Sequence, residues 1–177
     1  MFLCDDVYAH RWHNCTRLKT TQNISDILMG VGNGSCESMY EGCTSLVTAP
    51  IIRCKRFIGS YAFYRTFYGC TSLVNINDMS INNQQGGTVC SYAYREAYAN
   101  CTSIITAPSL IFNNNITHFT WITGPFMRMF YGCSSLVNAP SISAYRMGSY
   151  CFMRMFYNCT KLEKRATITI NNTGNHP

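Results

Sequence analysis

Phe67-Tyr68-Gly69-Cys70-Thr71-Ser72-Leu73 decides the reading of this 177-residue chain, because its pattern returns five more times. The pattern is aromatic, any residue, Gly or Asn, Cys, Thr or Ser, any residue, Leu or Ile. It stands again at residues 12–18, 40–46, 98–104, 130–136 and 156–162. The six cysteines are Cys15, Cys43, Cys70, Cys101, Cys133 and Cys159, separated by 28, 27, 31, 32 and 26 residues. Self-similarity at such a period is the mark of a repeat architecture, in which no single unit can bury its own apolar face.

With the cysteine as slot zero, the neighbouring slots have separate demands. Slot −7 holds Tyr8, Cys36, Phe63, Tyr94, Phe126 and Phe152, and slot −3 holds Trp12, Tyr40, Phe67, Tyr98, Phe130 and Phe156. Slots −7, −4, −3 and 0 match the i, i+3, i+4, i+7 face of an amphipathic helix, so the spacing predicts a helix of about two turns in each repeat. Slot −1 is always Gly or Asn (Asn14, Gly42, Gly69, Asn100, Gly132, Asn158), the residues that accept the left-handed conformation ending a helix. After the Leu comes a short β-branched segment closed by Pro, as in Val47-Thr48-Ala49-Pro50 and Ile105-Thr106-Ala107-Pro108, which reads as a strand. Slot +9 is apolar throughout: Ile24, Ile52, Met79, Leu110, Ile142 and Ile168. The expected fold is an α/β leucine-rich-repeat solenoid of about six coils, each a short helix plus a short parallel β-strand. It forms a single domain over residues 1–170 with a polar tail at 171–177. Polar insertions at residues 82–87 and 113–121 lengthen the third and fourth intervals.

The block at residues 67–73, preceded by Ile58-Gly59-Ser60-Tyr61-Ala62-Phe63, resembles the BspA-like leucine-rich repeats. The resemblance runs from about Cys4 to Ile170 and is specific for fold rather than function. It implies a recognition module, since such repeats occur in surface adhesins, and similar Cys-Thr-Ser-Leu arrays occur in proteins of gut bacteria and their phages. This chain has Ala-Pro where many members carry Ile-x-Ile-Pro. It also shows none of the family's usual secretion and anchoring segments, which favours a virion component or a fragment.

Composition narrows the setting. Only 12% of residues are charged against 47% hydrophobic, about half the usual charged share. The surface must then consist largely of Asn, Ser, Thr, Tyr and Gly, which suits an extracellular, cell-surface or virion setting, or a chain buried in an assembly. The net charge of +6 is spread out, with Arg53-Cys54-Lys55-Arg56 the densest basic run, so nucleic acid is not an expected partner. No run of about 20 apolar residues exists, so no membrane insertion is expected. The start, Met1-Phe2-Leu3-Cys4-Asp5-Asp6, lacks the basic and apolar regions of a signal peptide, which points to a chain not secreted by that route, or to a fragment or mature piece.

The eleven cysteines raise disulfide and metal chemistry. The six in the repeated slot read as a ladder of buried free thiols, because identical stacked side chains point in parallel and bridge poorly. Cys4, Cys36, Cys54, Cys90 and Cys151 occupy mixed slots. His10, His13 and Cys15, with Cys4 near in sequence, are the nearest approach to a metal set, but Cys15 belongs to the ladder and no metal or other cofactor is expected. The acids pair with no Ser-His or Cys-His arrangement, and Gly30-Val31-Gly32-Asn33-Gly34 is followed by no Lys-Ser/Thr, so an enzyme is not expected. The Asn-x-Ser/Thr sequons at Asn14, Asn100 and Asn158 arise from the repeat itself and imply no glycosylation.

Two rows remain as candidate binding residues. Slots −5 and −2 give Arg65, Tyr68, Arg128, Tyr131, Arg154 and Tyr157, an exposed Arg/Tyr row interrupted by Glu96 and Ala99. Slot +5 gives Thr48, Asn75, Thr106 and Asn138, expected to face outward from a concave sheet. Either row can equally be an ordinary solvated face. The expected function is a non-enzymatic module of a surface adhesin or phage tail protein that recognises a host surface protein or glycan. The alternative is a structural subunit or docking element whose partners are neighbouring subunits of an assembly. Phe2 and Leu3, leading straight into the first repeat without a capping domain, favour the alternative.

Overall fold

The computed structural model describes residues 5–24, 30–52, 54, 57–77, 88–111, 122–144 and 148–170. Among these residues six short strands are formed: β1 (Gly30–Val31), β2 (Phe57–Ile58), β3 (Thr88–Val89), β4 (Leu110–Ile111), β5 (Ile142–Ala144) and β6 (Ile168–Ile170). They make two three-stranded parallel sheets, in the orders β1-β2-β3 and β4-β5-β6. The register follows the repeat: Phe57 pairs with Gly30 and Thr88, and Ile142 pairs with Leu110 and Ile168. Isolated parallel bridges join Ile24 to Ile52, Thr48 to Asn75, and Asn138 to both Thr106 and Lys164.

The expected α/β leucine-rich-repeat solenoid is not what the chain forms. Among the described residues there is no helix, and the strands are only two or three residues long in two small sheets. The segment read as helical is a run of tight turns. In the third repeat the amides of Ala62, Tyr64, Thr66, Tyr68 and Cys70 each donate three residues back, to Gly59, Tyr61, Phe63, Arg65 and Phe67. The alternate amides, of Tyr61, Phe63, Arg65, Phe67 and Gly69, leave the repeat and donate to Ser91, Ala93, Arg95, Ala97 and Ala99 of the next. A helix would have sent all of them four residues back.

The backbone angles show how this is possible. Slots −9, −5 and −1 have positive φ in every repeat, as at Tyr61 (57°), Arg65 (53°) and Gly69 (70°). Each falls at the third position of every second turn, where a type II turn requires positive φ. Slot −1 therefore does hold the left-handed conformation in all six repeats, though no helix ends there. A left-handed non-glycine residue costs roughly 1–2 kcal/mol, and the third repeat carries two. Five amide bonds to the next repeat, at about 0.5–1.5 kcal/mol each, and burial of Phe63 and Phe67, at about 1.5–3 kcal/mol each, outweigh that cost.

The turn run buries residues two by two. Ala62, Phe63, Thr66, Phe67 and Cys70 are buried while Tyr64, Arg65, Tyr68 and Gly69 are only half-covered. Stacking in register places like on like. The slot −3 rings of Trp12, Tyr40, Phe67, Tyr98, Phe130 and Phe156 form one near-parallel column, with neighbouring centroids 5.0 to 5.9 Å apart. A second column runs through Phe63, Tyr94, Phe126 and Phe152 at slot −7. Leu46, Leu73, Ile104 and Leu136 complete the core beside them. Cys4, Phe2 and Leu3, Met79, the basic residues Arg53, Lys55 and Arg56, the insertions at 82–87 and 113–121, and the tail at 171–177 lie outside the described residues.

Candidate binding surfaces

The Arg/Tyr row forms, but Glu96 joins it rather than breaking it. Glu96 lies 3.8 Å from Arg65, 3.6 Å from Arg95 and 3.4 Å from Arg128, and Glu41 lies 2.9 Å from Arg65. All these residues are partly exposed, so each pair contributes about 1 kcal/mol or less. The Arg65 guanidinium sits 3.9 Å from the centre of the Tyr68 ring, whose hydroxyl accepts from the Asn100 side-chain amide at 2.9 Å. Arg65 and Tyr68 are thus occupied within the chain. Toward the C-terminal repeats the row opens. Tyr131 stacks on Tyr157 at 5.2 Å, Arg128 lies 5.9 Å from the Tyr131 ring, and Tyr157 and Arg154 are exposed. Exposed Tyr150 and Met153 lie on the same repeat.

The slot +5 row also forms, on isolated bridges rather than a continuous concave sheet. Its members satisfy one another: the Asn75 side-chain amide donates to the Thr48 hydroxyl, and that of Asn138 to the Thr106 hydroxyl, both at 3.2 Å. Beside it runs a feature the sequence reading missed. Val47, Val74 and Ile105 at slot +4 are 44%, 41% and 52% exposed, an aliphatic row on the surface. Their β-branched character is legible in the sequence, where it reads as strand propensity and says nothing of exposure.

The repeat cysteines have a definite task. The Cys43 thiol donates to the Trp12 carbonyl, Cys70 to Tyr40, Cys101 to Phe67, Cys133 to Tyr98 and Cys159 to Phe130, at 2.9 to 3.1 Å. Each thiol thus ties its repeat to the one before. Burial pushes the Cys70 thiol up to about 12 and the Cys43 and Cys159 thiols up to about 11, so they stay protonated and poorly nucleophilic near neutral pH. Among the described residues ten cysteines are free, and Cys15 is the exposed one of the slot-zero set. His10 and His13 have ring centres 5.6 Å apart, and among the described residues no three or more His, Cys, Asp or Glu side chains converge as a metal set would. Among the same residues no helix is long and apolar enough to cross a membrane.

No family model, curated protein or solved structure matches this chain. Its candidate surfaces therefore rest on geometry and on the repeat motif.

Proposed function

We propose that the chain is a non-enzymatic binding module that recognises a surface protein or glycan through the open end of the Arg/Tyr row. The setting is an extracellular one, a cell surface or a virion. The observation that carries the reading is the stack of half-buried Tyr131 on exposed Tyr157, with exposed Arg154, which forms no ion pair among the described residues, on the same repeat. Tyr and Arg are the side chains that anchor interfaces, and a flat pair of rings offers a face to a sugar or to an aliphatic side chain. The Thr/Asn row supports it less, because its hydroxyls and amides already bond to each other.

Binding of the fluorescently labelled protein to a glycan array and to intact bacterial cells tests this. Tyr131→Ala and Arg154→Ala should each weaken a signal seen with the parent protein by about tenfold, or 1.4 kcal/mol, with little change in melting temperature. No binding to either probe, or variants equal to the parent, would refute the reading. The second reading, a structural subunit of a larger assembly, draws support from the edges of the stack.

A further inference from the structure

Every junction between repeats uses the same contacts. Amides at slots −9, −7, −5, −3 and −1 donate to carbonyls at slots −10, −8, −6, −4 and −2 of the next repeat. The slot-zero thiol of the later repeat donates to the slot −3 carbonyl of the earlier one. The slot −3 rings stack face to face.

At the two ends of the described stack, complementary halves of this junction are left over. In the last repeat the amides of Tyr150, Phe152, Arg154, Phe156 and Asn158 have no acceptor among the described residues. In the first repeat the carbonyls of Asp5, Val7, Ala9, Arg11 and His13 have no donor among them. The Cys15 thiol is exposed, while among the described residues the Phe156 carbonyl receives the Cys159 amide and no thiol. Trp12 and Phe156, the terminal rings of the slot −3 column, are each stacked on one side and remain half-exposed. Like the open edge of a sheet, such rows of unpaired amides and carbonyls are templates for pairing with another chain.

We infer that the C-terminal edge of this chain docks on the N-terminal edge of a second copy, in the register that joins successive repeats. Five amides meet five carbonyls, Cys15 meets the Phe156 carbonyl, Phe156 meets Trp12, and Phe152 meets Tyr8. Glu163 and Lys19, both exposed at slot +4, come side by side. A second copy fits better than an unrelated partner, because only the repeat itself supplies donors, thiol and rings in this order. The contact is head-to-tail, one edge on the opposite edge of the next copy, so copies add one after another into a series of oligomers. In that register His13 of the second copy comes beside Tyr157, at the open end of the Arg/Tyr row.

Slot −2 side chains of adjacent repeats touch, as Tyr131 and Tyr157 do at 5.2 Å. In the 177-residue chain with Cys15→Ser, the exposed pair His13→Cys and Tyr157→Cys should therefore form intermolecular disulfides under oxidised glutathione, giving a ladder on a non-reducing gel. The offset pair Lys19→Cys and Tyr157→Cys should form far less. The unsubstituted protein should sediment as a concentration-dependent series of species. Equal cross-linking of the two pairs, a monomer at every concentration, or a closed dimer would each overturn the inference.

Discussion

The Cys70 thiol donates to the Tyr40 carbonyl 3.1 Å away, one repeat back in the chain. The same carbonyl accepts the Cys43 amide, so one oxygen holds both its own turn and the following repeat. This explains why cysteine fills slot zero: the site is dry, small, and faces an acceptor. Alanine would fill it without donating, and a larger apolar residue would overpack it.

Cys101→Ala should therefore destabilise the protein by about 1–3 kcal/mol, from the lost bond to the Phe67 carbonyl and a small cavity. Cys15→Ala, at an exposed slot-zero position, should change stability by less than about 0.5 kcal/mol. Urea unfolding of the two variants measures both. Equal effects would contradict the proposed role of the buried thiols.

Alkali should unfold the protein through these same thiols. In the unfolded chain a thiol ionises near about 8.5, whereas Cys70 is pushed up to about 12 and Cys43 and Cys159 up to about 11 in the fold. Stability is intact below the unfolded value and is lost as pH rises through the folded ones, because only the unfolded state releases the protons. Each buried thiol contributes a slope of about 1.4 kcal/mol per pH unit in that window. Melting temperature across the window should fall steeply, and less steeply in Cys70→Ala.

Thiol chemistry offers an independent check. Iodoacetamide applied to the native protein at neutral pH, followed by peptide mapping, should label Cys15 and spare Cys70, Cys101 and Cys133, which are fully buried. Labelling of all four at similar rates would mean that the column of repeats opens readily.

Two glycines separate close packing from backbone angle. A Cβ at Gly59 would lie 2.6 Å from the Gly32 carbonyl carbon and the Asn33 amide nitrogen, in the preceding repeat. A Cβ at Gly69 would meet nothing within 4 Å, leaving only the left-handed φ of 70° to resist it. Gly69→Ala should cost roughly 1–2 kcal/mol. Gly59→Ala should cost clearly more, since backbone must move, and thermal melting should rank them in that order.

The sequence carried the repeat, the stacking, the buried thiols and the left-handed slot −1, because each is a demand on one residue type at one position. It did not carry the path of the chain between slots −9 and 0. A helix face of period 3.6 and a turn ribbon burying pairs every four residues differ by less than one residue over two turns. Phe63, Thr66, Phe67 and Cys70 satisfy both. The left-handed slots −9 and −5 gave little warning, since Tyr61, Arg65, Tyr92 and Glu96 are not residues that favour positive φ. In the candidate surface, Arg65, Tyr68, Arg128 and Tyr131 were legible from their spacing. The linking role of Glu96 was not, because it depends on contacts between residues about thirty positions apart.

The central claim is that this chain stacks turns through bonds between repeats instead of forming helices within them. The scalar coupling through the hydrogen bond of the Phe67 amide tests it most directly. The expected partner is the carbonyl carbon of Ala97, whose oxygen lies 2.9 Å from the Phe67 nitrogen. A coupling to Phe63, four residues back along a helix, would contradict the claim.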